Sequence, residues 1–204
     1  MNRIVDEVVD SIIKSGLVEV EVSARHVHLN QEQVEILFGE GAVLHPKRPL
    51  SQPGQFLSEE RVTLIGKKGV LKNVSVLGPV RNEAQVELSI TDRRSLGVEA
   101  PVRESGNLEG AGAITIEGPT GTLKDIPAAI VAHNHIHVPT DIARKLDLKD
   151  QDRVSVQVLA ERTMTFDDVV IRVSDKFRYK MHIDFDEANA AMISGFTLGK
   201  IIRH

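Results

Sequence analysis

The sequence predicts a mainly β protein built from small barrels or sandwiches, and three observations carry that prediction. Many short β-type runs are punctuated by Gly and Pro, few stretches show helical spacing, and one His-containing segment occurs twice in similar surroundings. Taken in order, Ile4, Val5, Val8, Val9, Ile12 and Ile13 recur at helical spacing and Gly16 lies where a helix would stop, so residues 1–16 read as an amphipathic helix. Its apolar face suits docking on its own domain or on a subunit; the alternative is an address for a partner such as a protein shell. Strands are then expected at Leu17–Val22, Arg61–Gly66, Val70–Leu77, Gln85–Ile90, Ala113–Glu117, Ile130–Ala132, Arg153–Val158, Asp168–Val173 and Tyr179–Ile183. Lys68-Gly69, Gly78-Pro79, Gly118-Pro119 and Thr120-Gly121 supply turns between several of them.

Arg25-His26-Val27-His28-Leu29-Asn30-Gln31 is echoed by Asn134-His135-Ile136-His137-Val138-Pro139-Thr140. A short helix should follow each copy, Gln31–Phe38 capped by Asn30 and Asp141–Leu146 capped by Thr140. Two modules of strand, His-x-His and helix would then face one another across a single site.

Composition narrows the chemistry. With 204 residues, 41% hydrophobic and 26% charged, the chain can bury a core of its own. The absence of Cys excludes disulfides, iron–sulfur clusters, thiolate zinc fingers and a cysteine nucleophile, and fits a reducing compartment. A net charge of −4, no Trp and 3% aromatics leave neither the basic field nor the stacking platforms of a nucleic-acid binder. No apolar run reaches membrane-spanning length and no secretory signal opens the chain, so a cytoplasmic protein is expected. No GxxxxGK[ST] or GxGxxG occurs, so nucleotide-type phosphate cradles are not supported.

Residues two apart on a strand project from one face with Cα atoms about 6.6 Å apart, so His-x-His can converge on one ion. Eight His in 204 residues would give roughly 0.3 such pairs by chance, yet His26/His28, His133/His135 and His135/His137 all occur. Two pairs in echoing contexts favour metal over structure, and a chain without Cys would bind it through nitrogen and oxygen, most readily as Zn²⁺ with open positions. His182, followed by Asp184, Asp186 and Glu187, reads either as a sheet residue or as a further ligand; Glu87 reads as a solvated strand residue or a hard oxygen ligand. Arg81 follows the Gly78-Pro79 turn and could fork onto phosphate or simply face water. The basic, proline-stiffened segment from His45 to Phe56 is a connection or a contact for a phosphorylated ligand.

At Val22–Leu29, Pro46–Gln55, Leu77–Arg81, Gln85–Glu87, Ala100–Gly106, His135–His137 and Met181–Ala190 the chain resembles the PduL-type phosphotransacylases, the phosphate propanoyltransferases, over about residues 18 to 191. The resemblance implies two β-barrels, one of about residues 25–132 and one of 17–24 plus 133–204, with the active site between them. It implies an enzyme with two zinc ions per chain that exchanges an acyl group between coenzyme A and phosphate. By the same carry-over the metal ligands are His26, His28, Glu87, His135, His137 and His182, Arg81 holds phosphate, and coenzyme A meets Leu77, Ser105, His182 and Asn189. Family members housed in bacterial microcompartments carry an amphipathic targeting helix; the one here is short. Shell association and homo-oligomer formation are therefore secondary expectations. The family usually has Arg before the second His pair, where this chain has Asn134 preceded by His133. The expected chemistry is direct attack of phosphate on the thioester. A dinuclear zinc hydrolase and a non-enzymatic metal-containing barrel are the rivals.

Overall fold

A computed structural model describes residues 2–202. Met1, Arg203 and His204, assigned from the sequence to the N-terminal helix and the second barrel, lie outside the described residues. The chain divides into two compact units: an inserted unit, Ala24–Ala132, and a split unit made of the segments up to Ser23 and from His133 onward.

The split unit begins with α1 (Asn2–Lys14), which stops at Gly16, where φ is +79° and the N–H bonds the Ile13 carbonyl at 2.8 Å. β1 (Leu17–Ser23) follows. The apolar stripe of α1 is less docked than its pattern suggests. Ile4 is 75% and Ile12 45% exposed, and Ile13 is the stripe residue that packs on the core.

The inserted unit runs β2 (His26–His28), α2 (Gln31–Phe38), β3 (Pro46–Pro49), β4 (Phe56–Ile65), β5 (Val70–Gly78), β6 (Gln85–Leu88), α3 (Ile90–Leu96), β7 (Val102–Arg103), β8 (Gly112–Glu117) and β9 (Thr122–Ala132). β4 pairs with β5, β5 with β2, β2 with β6, β6 with β9, β9 with β8, and β8 again with β4, which closes a barrel. β3 and β7 are added at its margins. Asn30 caps α2 in a capping box with Gln33, as its sequence predicts. The strand expected over Gln85–Ile90 ends at Leu88, because the Ser89 hydroxyl accepts the Asp92 N–H at 3.2 Å and starts α3 instead. Pro46–Pro49, expected as a loop, is an exposed marginal strand, a place where missing N–H donors cost little.

The split unit resumes with β10 (His135–Val138), α4 (Thr140–Lys145), β11 (Arg153–Val158), β12 (Met164–Val173), β13 (Lys180–Asp184), α5 (Phe185–Ala191) and β14 (Thr197–Ile202). Its barrel closes in the order β1-β13-β10-β12-β11-β14. Thr140, expected to cap α4, is its first residue; Pro139 holds the cap position, with no side-chain bond. Asp10 bridges α1 to α4 through Lys145 at 2.8 Å and also meets Lys14 at 2.7 Å, holding its carboxyl down to about 2. Each barrel has its own apolar filling. Val27, Leu64, Val76 and Val86 are fully buried in one; Ile136, Val156, Ile171 and Met181 in the other. Each such side chain contributes about 1.5–3 kcal/mol.

The sequence echo is also an echo of topology. β2 lies parallel to β5 and antiparallel to β6; β10 lies parallel to β12 and antiparallel to β13. Both His-x-His strands lead into a short helix, and so do both of their antiparallel neighbours.

Candidate metal centre

In β2 the alternation turns Val27 into the apolar core, so His26 and His28 project from the opposite face, where they remain 7% and 3% exposed. Register places Glu87 of β6 opposite His26. His26 Nδ1 lies 2.8 Å from the Ala24 carbonyl, which directs Nε2 toward Glu87 Oε2 at 3.4 Å. Among the described residues, His26, His28 and Glu87 are the group of three whose donor atoms all lie within 4.8 Å of one another. Two imidazoles and a carboxylate at this spacing suit zinc with an open position for a substrate oxygen.

Electrostatics prepares these donors. Burial resists ionisation of Glu87, but the neighbouring His26 charge and hydrogen bond outweigh it and hold the carboxyl well below the usual range. Burial likewise pushes His26 down, yet Glu87 prevails and raises it. His28 is driven well below its ordinary value by burial and by His26 and Arg81, which leaves a neutral imidazole ready to ligate.

A polar shell fixes Glu87 from behind. Its Oε1 accepts hydrogen bonds from Gln85 Nε2 at 2.6 Å and Ser105 Oγ at 2.9 Å, while Gln85 Oε1 accepts the Gly106 N–H at 2.8 Å. Gln85 is buried and was not singled out in the sequence; its position two before Glu87 on one strand face was the available signal. Arg81 Nη1 donates to the same Ser105 Oγ at 3.4 Å, so phosphate-binding and ligand candidates share one contact. Leu77 stands half-buried near the end of β5.

In the split unit Ile136 enters the core and His135 and His137 project from the other face, both 8% exposed. His182 of β13 is the register partner of His135. The ring centroids of His135, His137 and His182 are 4.6, 4.9 and 5.3 Å apart in pairs, with His135 and His182 stacked and Phe177 packed against His137 at 4.1 Å. These three cluster without bringing all their donors as close as the first group. His135 Nδ1 lies 2.8 Å from the His133 carbonyl, repeating the His26 arrangement. His133 precedes β10 rather than lying in it. Its Nδ1 meets the Asn134 carbonyl at 3.0 Å and its Nε2 faces Asp168 at 3.3 Å. Asn189 is exposed on α5, beside an open groove of about 560 Å³ that Glu19, Phe185 and Phe196 also line. Leu77 and Ser105 thus belong to the inserted unit, His182 and Asn189 to the split unit.

The family profile described as phosphate propanoyltransferase matches residues 19–194. A phosphate propanoyltransferase of Clostridioides difficile is 50% identical over 203 residues, covering 100% of this chain and 97% of that one. One of Thermotoga maritima is 49% identical, covering 93% and 91%. One of Listeria monocytogenes is 41% identical, covering 99% and 97%.

Proposed function

The chain belongs to the phosphate propanoyltransferase family, and on that premise we propose that it moves a short acyl group, propanoyl or acetyl, between coenzyme A and inorganic phosphate by direct attack. The relatives' names support transfer to and from phosphate; the finer reading rests on one observation. Arg81, Ser105 and Glu87 form a continuous contact, so an anion paired with the Arg81 guanidinium would lie next to the His26, His28 and Glu87 donors.

In this reading Arg81 orients phosphate through paired donors, which lowers the entropic barrier to attack. A phosphate oxygen bonds to the thioester carbonyl carbon, the carbon–sulfur bond breaks, and coenzyme A leaves as thiolate to be protonated by solvent. No side-chain nucleophile is required, in keeping with a chain that has no Cys. Zinc, held by His26, His28 and Glu87 and a second time by His135, His137 and His182, would when bound stabilise negative charge on the carbonyl oxygen as a Lewis acid. Leu77 and Ser105 in the inserted unit and His182 and Asn189 in the split unit are the residues we assign to coenzyme A. We place the enzyme in the cytoplasm, with the exposed face of α1 available to another copy or to a microcompartment shell.

Thiol release from acetyl-, propionyl- and butyryl-coenzyme A, with and without phosphate, tests the proposal. Release that needs phosphate and yields acyl phosphate is expected. Equal release without phosphate would make the protein a hydrolase, and no release would make it a binding module.

A further inference from the structure

The residue just before each His pair is tied to the helix that follows the third donor. Arg25 Nε donates to Asp92 Oδ2 at 2.8 Å, and Asp92 is the third residue of α3, whose cap Ser89 lies two residues after Glu87. Asn134 Nδ2 donates to Glu187 Oε1 at 2.7 Å, and Glu187 is the third residue of α5, whose cap Asp184 lies two residues after His182. Asp92 is only 5% exposed, and Glu187 already accepts the Asp184 N–H at 2.8 Å. The two ties occupy one topological position with different chemistry. A long Arg meets a short Asp in one, and a short Asn meets a long Glu in the other.

We propose that Asp92 and Glu187 are positioning residues that lock each His-x-His strand in register against the strand carrying its third donor. The inference rests on reading His26, Glu87, His135 and His182 as working donors. β2 has three residues and β10 four, so few ladder bonds hold them. A slip of one residue would turn both histidines of a pair to the opposite face. The ladder fixes His26 against Glu87 from one side, and the Arg25–Asp92 bond closes the loop from the other. Complementary side-chain lengths at the two ties mean that the span is what both preserve.

The test compares wild type with Asp92→Ala, Arg25→Ala and the double variant Arg25→Asn/Asp92→Glu, which rebuilds the first tie with the residues of the second. Zinc affinity is measured by chelator competition, kcat and KM for phosphate by thiol release, and folding by circular dichroism of the metal-free chains. Folded Asp92→Ala should bind zinc about 10-fold more weakly, in the range for outer-shell partners, and the double variant should regain most of that loss. If Asp92→Ala does not fold, Arg25→Ala carries the comparison, since it leaves Asp92 at the helix N-terminus. Unchanged zinc affinity in the folded single variant, or a loss that the double variant fails to recover, overturns the proposal. A wild-type chain with neither zinc nor transfer activity would instead overturn the reading beneath it, and the inference with it.

Discussion

His182 faces His135 across the β10–β13 ladder, its ring stacked on that of His135 with centroids 5.3 Å apart and planes at 16°, and Glu87 faces His26 across β2–β6 in the same register. The same topological slot therefore carries a histidine in one unit and a carboxylate in the other. For the proposed zinc sites this difference implies an order of loading. Among the described residues, His26, His28 and Glu87 already hold their donors within 4.8 Å of one another, whereas His135, His137 and His182 form no such group. Zinc titration of the metal-free protein should show about two ions per chain, the first bound more tightly and lost in Glu87→Ala. Active protein without tightly bound transition metal would end the zinc reading.

Arg81→Lys keeps the charge but removes the fork that reaches Ser105. The phosphate-dependent rate should fall by about 10² or more while zinc content stays unchanged. Near-normal rates in the Lys variant would transfer the phosphate role to another cation, Arg103 being the next candidate.

The sequence made the β class and the echo legible because turn residues and paired histidines are local signals. It concealed elements whose cause is tertiary. β14 closes the split barrel, yet its alternation is muted: Thr197 and Gly199 take inward positions beside Ile201. Gly199 has to be small, since a Cβ there would come within 2.8 Å of Val156 Cγ1. α3 was hidden because Ile90 continues the alternation of β6, and only the Ser89 cap ends the strand. The ligand candidates were legible as residue types, whereas their support was not. Gln85 and Asp92 are ordinary polar residues until β6 and α3 bring them to Glu87 and Arg25.

The His26–Glu87 pair should also show itself in the pH dependence of the metal-free protein. His26 is raised, so its contribution is complete below its ordinary value of about 6.5 and is lost as pH rises through the higher folded value. Glu87 is depressed, so its contribution is complete above about 4.3 and is lost as pH falls through the lower folded value. The pair therefore stabilises most in the window between these values. With a chelator present, the difference in Tm between wild type and Glu87→Gln should be largest near about pH 5.5 and shrink as pH rises through the raised His26 value. A difference that grows with pH would mean the two groups are not paired.

The last prediction separates the two His pairs that overlap at His135. On spacing alone, His133/His135 is as good a chelating pair as His135/His137. The fold distinguishes them, because His133 lies outside β10 and its ring is engaged by Asp168 and the Asn134 carbonyl, while His137 stands beside His182 at 4.9 Å. His133→Ala should therefore keep both zinc and most activity, losing no more than the modest worth of a half-exposed contact. His137→Ala should lose zinc from the split unit and abolish transfer. If both donor sets serve one reaction, replacing His26 and His28 as well should cost little more, since groups that act as a unit are strongly non-additive. Zinc content and phosphate-dependent thiol release, measured in parallel on the three variants, decide it. An inactive, zinc-depleted His133 variant beside a healthy His137 variant would make His133 the ligand, and fully multiplicative losses in the combined variant would mean that the two donor sets work apart.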